Sequence, residues 1–284
     1  MSGFESSPDA ERRRLRDLFQ DVDFEVIPLS GVVEKARVLP PGATVTVTAS
    51  PSRGMQATVD VASRLQQGGF EAVPHLAARM IADRAQLATM LATLRSNGVT
   101  RVFVIGGDPD PVGVYEDAGA LLRDMVELGH PFVEVGIAGY PEGHPGIDDR
   151  KLGEALRSKA TMATQVVTQM CFDPGTIIDW VGSIRQDGIE LPLKLGVPGA
   201  VEMTRLLAIA ARIGVGDSLR VLAKNRGLLR VLRPGRYTPD RLIEGVARSK
   251  TAADFAGLHL FTFNQVAATA AWRDEWLERL GAVG

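Results

Sequence analysis

Glu25 stands in the run DFEVIP, between Phe24 and Val26, where a short apolar stretch predicts a buried strand. A carboxyl group held there with little water favours its neutral form, which suits a general acid near neutral pH. A structural ion pair across the interior is the competing reading. His75 ends the run FEAVPHL. Its imidazole could meet a ligand, although a strand-end histidine is more often a hydrogen-bonded packing residue. Asp108 follows RVFVIGGD. The two glycines let a ligand or a loop approach closely, and the carboxylate falls at the strand's carboxyl end. The alternative is an aspartate capping the next helix, but the PDPVGVYEDA that follows reads as a loop.

The segment GYPEGHP at 139–145 is a rigid, irregular loop that offers Tyr140, Glu142 and His144. It contains no His-x-His and no His-Glu pair at helical spacing, so no metal site is expected. Gln165 and Gln169 in TQVVTQMCFD are four apart and share one strand face. Two inward amides could pair with a flat heterocycle of mixed donors and acceptors, or with each other. Lys194 in LPLKLG is the inward-looking strand lysine that a Schiff-base lyase would need.

These groups need a scaffold that carries them to one place. Apolar runs rich in Val, Ile and Phe fall at 23–28, 43–49, 70–75, 101–105, 132–137, 165–170, 191–197 and 258–261. Amphipathic stretches of helical period lie between most of them, for example 58–67, 84–96, 118–128, 175–186 and 203–213. Gln67-Gly68-Gly69 and Ser96-Asn97-Gly98 are helix stops. Eight strands alternating with helices predict an α/β chain folded as a single (β/α)8 barrel of the TIM type, residues 21–284, behind a helical lead-in at 1–20. An open doubly wound sheet is the alternative, but PLSGVVEKA after the first strand lacks the glycine fingerprint of that fold. An insert at 215–239 is expected to be helical. Its Arg226, Arg230 and Arg233, like the run Arg12 to Arg14, read as solvated charges.

Composition narrows the class. With 45% hydrophobic residues in 284, the chain can bury a sizeable core. The 32 basic and 34 acidic side chains leave a net charge of -2, which offers no field for nucleic acid. The one cysteine, Cys171, rules out an internal disulfide. An opening without an apolar signal core, and no run long enough to span a bilayer, point to a soluble, cytoplasmic protein without a membrane partner.

Taken in order, the strand-end motifs resemble those of the methylenetetrahydrofolate reductases. Phe24-Glu25 before Pro28, Val47-Thr48, His75-Leu76, Gly106-Gly107-Asp108, the intact Tyr-Pro-Glu-Gly-His-Pro at 140–145, Thr168-Gln169 with Phe172-Asp173, and His259-x-Phe261-Thr262-x-Asn264 all match. The resemblance implies a barrel that reduces the methylene bridge of methylenetetrahydrofolate to a methyl group. Glu25 would protonate the pterin nitrogen and open the bridge to an iminium ion. Asp108 would hold the pterin and stabilise that cation. Gln169, Phe172 and Gln265 would bind folate. Thr48, His75, Tyr115, Tyr140, His144 and Lys159 would contact the cofactor.

Family members usually hold FAD, and the departures fall there. The arginine before Gly-Asp is Gly106, a small residue after the loop tyrosine is Glu116, and a Gly-Ala step is Met162-Ala163. An expected Lys and Asp align near Ser158 and Lys151, with Lys159 one residue away, and an arginine after the last asparagine is Gln265. A pyrophosphate needs donors and space. The chain resembles the flavin-independent actinobacterial branch of the family, which implies hydride transfer directly from NADH, with bound FAD as the alternative.

Overall fold

A computed structural model describes residues 7–204, 206 and 236–281. Helix α1 (Pro8–Gln20) opens the chain, with the Ser7 hydroxyl accepting from Ala10 N and proline in the first turn. The barrel follows as β1 (Val22–Val26), α2 (Val32–Ala36), β2 (Thr44–Val47), α3 (Gly54–Gln67), β3 (Glu71–Ala77), α4 (Arg84–Ser96), β4 (Arg101–Ile105) and α5 (Ala118–Glu127). It continues with β5 (Glu134–Gly139), α6 (Asp149–Ala160), β6 (Gln165–Thr168), α7 (Pro174–Gln186) and β7 (Leu193–Pro198). A ribbon of β8 (Val201–Glu202) and β9 (Arg236–Tyr237) stands apart, before α8 (Asp240–Ala247), β10 (Phe255–Phe261) and α9 (Val266–Leu280).

Eight parallel strands close in the order β1-β10-β7-β6-β5-β4-β3-β2. The expected (β/α)8 barrel is therefore the observed fold, and the open sheet is excluded. The first six residues, most of the 215–239 insert with Arg226, Arg230 and Arg233, and most of the expected helix at 203–213 lie outside the described residues. Among the described residues, no helix is long and apolar enough to cross a membrane.

Alternation along each strand sets what faces in and out. In β1, Val22, Phe24 and Val26 join the main core under the helices, while Asp23 and Glu25 do not. In β10, Leu258 and Leu260 go outward to that core and His259 goes inward. A small apolar layer of Val73, Phe103 and Val167 fills the interior. Side-chain caps start the helices that matter for the site. Asp117 accepts from Ala120 N at α5, and Asp173 accepts from Gly175 N and Thr176 N at α7. Asp108 caps neither helix.

The arginines of α1 do more than face solvent. Arg14 donates to the carbonyls of Ala247 and Ser249, and Arg16 to that of Leu280. The Ala247 and Leu280 carbonyls lie in the last turns of α8 and α9, where intrahelical donors run out, and Ser249 follows just beyond α8, so the arginines tie both helix ends to α1. The expected solvated face is corrected to that extent for Arg14, while Arg13 is exposed.

One glycine is fixed by contact. A Cβ on Gly196 would run into the carbonyl oxygen of Thr168 on the neighbouring strand. Gly196→Ala is expected to destabilise the barrel by at least about 1–3 kcal/mol, the usual cost of overpacking. The midpoint of urea unfolding measures it, and an unchanged midpoint would show that the two strands can part freely.

Candidate active site

A column of charge rises through the barrel from its floor. Lys194 Nζ on β7 donates to Asp21 at 2.7 Å and to Asp23 at 2.8 Å. Asp23 Oδ2 lies 3.6 Å from His259 Nδ1, and His259 Nε2 lies 3.1 Å from Glu25 Oε2. His75 Nε2 on β3 lies 3.8 Å from the same oxygen. Glu25 thus sits between two imidazoles.

Their titration follows from these neighbours. Burial alone would lower the His259 imidazole, but Asp23 and Glu25 outweigh it and raise it to about 9. For His75 burial dominates and, with the charge on His259, holds it down at about 4, since Glu25 and Asp23 offset only part of the shift. Burial opposes ionised Asp23 as well, yet His259 and Lys194 keep its carboxyl below the usual range. At neutral pH, then, His259 carries a proton and His75 does not.

Backbone contacts fix Glu25 in place. The Thr262 hydroxyl donates to the Glu25 carbonyl at 2.6 Å, and Asn264 pairs with both the N–H and the carbonyl of Ile27. Phe263 and Asn264 adopt left-handed φ of 49° and 62° to bring these groups round. Such a pair of non-glycine residues is costly, so the turn is held by the contacts it makes.

Above the column opens a cavity of about 1140 Å³. Of the residues expected to act, Glu25, Thr48, His75, Asp108, Tyr140, His144, Lys159 and Gln169 line it. Gln169 Oε1 accepts from Met170 N at 2.8 Å, which holds its amide at the rim. His144 Nδ1 accepts from Gly146 N, and its ring meets Tyr140 edge-on at 5.5 Å. The Tyr140 hydroxyl is pushed up by burial and by Asp108. Lys159 is pushed down by burial, against Asp117, and its amine has no hydrogen bond or ion pair among the described residues.

Three expected contacts are not walls of this cavity. Tyr115 is buried in the main core and its hydroxyl donates to Asp124 at 2.7 Å, so the ring is turned towards α5. Phe172 packs behind the cavity in a cluster with Met170 and Phe263. Gln265 precedes α9, and its buried amide nitrogen has no hydrogen-bond partner among the described residues. Gln165 also departs from expectation: it pairs with Glu134 at the other end of its strand from Gln169. Lys194 is paired with two carboxylates that raise its amine, so it is no Schiff-base nucleophile.

Sequence reasoning assigned no role to Asp23 or His259. The signal was present, because VDFEV puts both acids on one strand face and LHL isolates His259 on the inward side. A metal reading was set against the 139–145 loop. Among the described residues, the group whose ligand atoms gather within 4.8 Å is instead Glu25, His75 and His259.

Around the expected flavin site, Tyr115 is withdrawn, Gly106 brings no side chain and Glu116 adds a carboxylate, while Arg79, Arg123, Lys151 and Lys159 bring cations to the lining. Met162 was expected to take up flavin space, but it packs against the main core and is not part of the lining.

A model of the methylenetetrahydrofolate reductase family matches residues 29–214. The chain belongs to this family. The match covers Thr48, His75, Asp108, Tyr140 and Gln169 and stops short of the strands that carry Glu25 and His259. The chain is 30% identical over 162 residues to methylenetetrahydrofolate reductase (NADH) 1 of Arabidopsis thaliana, covering 49% of this chain and 27% of the relative. It is 26% identical over 133 residues to methylenetetrahydrofolate reductase 2 of Saccharomyces cerevisiae, covering 43% and 22%. With a probable methylenetetrahydrofolate reductase (NADPH) of Caenorhabditis elegans it shares 26% over 220 residues, covering 72% and 32%. The matched part therefore spans less than a third of the length of these family members.

Proposed function

We propose that the chain reduces 5,10-methylenetetrahydrofolate to 5-methyltetrahydrofolate with NADH, by direct hydride transfer and without bound flavin. The observation that carries this reading is the Glu25 carboxyl, placed on the cavity floor against a protonated and a neutral imidazole in a chain of this family. The proton that His259 and Glu25 share passes from the Glu25 carboxyl to N10, the leaving nitrogen of the methylene bridge, and the C–N10 bond breaks to leave an iminium carbon on N5. The reduced nicotinamide delivers a hydride to that carbon and departs oxidised. His259 stands 3.1 Å away as the proton source for Glu25 between turnovers. Asp108 faces the cation across the cavity, and the Gln169 amide meets the edge of the pterin. Holding both reactants in one cavity makes the transfer effectively unimolecular.

Lys159 supports the nucleotide half of the reading, since a partly desolvated amine without a partner gains most from a phosphate. It would serve a flavin's pyrophosphate equally well, which keeps the FAD-dependent reaction as the competing reading. The relatives' names point to NADH for the Arabidopsis protein and to NADPH for the worm protein. NADH is favoured here. A cytoplasmic location goes with this proposal.

The test is NADH oxidation by the purified chain with methylenetetrahydrofolate, after its visible spectrum has shown no flavin. Turnover of about 1 per second or more is expected without added FAD. Turnover that waits for FAD would overturn the direct route, and none in either case would overturn the reductase.

A further inference from the structure

We propose that Glu25, His75 and His259 form a binding site for one divalent transition-metal cation of the zinc, cobalt or ferrous class. Each ligand comes from a different barrel strand, β1, β3 and β10, so the site is built on rigid elements. Glu25 Oε2 is 3.1 Å from His259 Nε2 and 3.8 Å from His75 Nε2. Donors bound to zinc at about 2.0–2.2 Å lie roughly 3–3.5 Å from one another. One of the three edges is therefore in place, and the other two, 3.8 Å from Glu25 to His75 and at most 4.8 Å between the imidazoles, close with side-chain rotation.

The independent sign of a missing ligand is His75. Its side chain is only 5% exposed, and its buried Nε2 has no hydrogen-bond partner among the described residues. A buried polar nitrogen left unpaired is costly, and a cation would satisfy it. Behind the second nitrogen of His259 stands the Asp23 carboxylate at 3.6 Å, too long for a hydrogen bond but near enough to attract it, with Lys194 behind that. All three ligands line the cavity, so water or substrate can fill the remaining positions. Two imidazoles and one carboxylate with open positions suit a borderline transition metal better than magnesium or calcium. The cation takes the place of the proton shared by His259 and Glu25, and that proton leaves to solvent.

Binding itself does not depend on the reductase reading. Its consequence does: the cation occupies the carboxylate that would protonate the substrate, so it would stop turnover.

The experiment uses the untagged full chain, stripped with chelator and titrated with cobalt(II) alone. A visible ligand-field band is expected to saturate at one cobalt per chain and to disappear when zinc is added. His75→Ala and the near-isosteric Glu25→Gln should each weaken binding by more than roughly 100-fold, beyond the usual cost of losing an outer-shell partner. His130→Gln, a histidine outside the cavity lining, should leave it unchanged. Circular dichroism checks that each variant is folded. No saturable band, or equal affinity in wild type and Glu25→Gln, overturns the site. Cobalt binding by a chain that does not oxidise NADH even when metal-free would keep the site and sink the reductase, and oxidation by the metal-free chain without saturable cobalt binding would do the opposite.

Discussion

Glu25→Gln is expected to leave the barrel folded and folate bound while turnover falls by about 10²–10⁴-fold, the usual worth of a positioned general acid. Glutamine keeps the shape of the side chain and an oxygen that can still accept from His259 Nε2. The Thr262 hydroxyl contact is to the backbone of residue 25, so it survives the change. What is lost is the proton that opens the methylene bridge. The loss should therefore fall on kcat with KM nearly unchanged, which separates chemistry from binding. Single-turnover NADH oxidation, together with folate binding by fluorescence titration, makes the comparison. A kcat within about tenfold of wild type would place the acid elsewhere, since that is less than general acid catalysis normally contributes.

The fold was legible because each strand carries its own signal. Eight apolar runs with helical periods between them leave few architectures, and the glycine stops at 67–69 and 96–98 close α3 and α4 as expected. The cavity lining was legible in part for the same reason. Glu25, Asp108 and Gln169 are polar residues in or just after apolar strands, and such groups end at the mouth of a parallel barrel. The misses share a cause. Tyr115, Phe172 and Gln265 lie in loops or at helix starts, where position along the chain does not set side-chain direction. Tyr115 turns inward because Asp124, nine residues later on α5, offers its hydroxyl a partner. Gln165 and Gln169 do share a strand face, but four residues of rise put them at opposite ends of the strand, one at Glu134 and one at the cavity. Asp23 gains meaning only from Lys194, 171 residues away, and no local pattern joins those two.

That long-range pair leads to the largest expected effect on stability. Lys194→Met should destabilise the fold by about 3–5 kcal/mol, the range for breaking a buried ion pair by removing one partner. The Lys194 and Asp23 side chains are 4% and 5% exposed, so water cannot replace the lost amine. Asp21 is 52% exposed, and its contact with the same amine adds no more than about 1 kcal/mol. Methionine fills nearly the same volume, so the loss would report charge rather than a cavity. Asp23 would still face His259 at 3.6 Å, which places the expectation nearer the lower end of the range. Adding Asp23→Asn to Lys194→Met removes the stranded charge, so the double variant should be more stable than the sum of the single changes predicts. Urea unfolding of the four proteins gives this coupling directly. A loss under about 1 kcal/mol for Lys194→Met would mean that water reaches Asp23 through the barrel floor. In that case His259 would have a solvated counterion, and the reason for its holding a proton beside Glu25 would weaken with it.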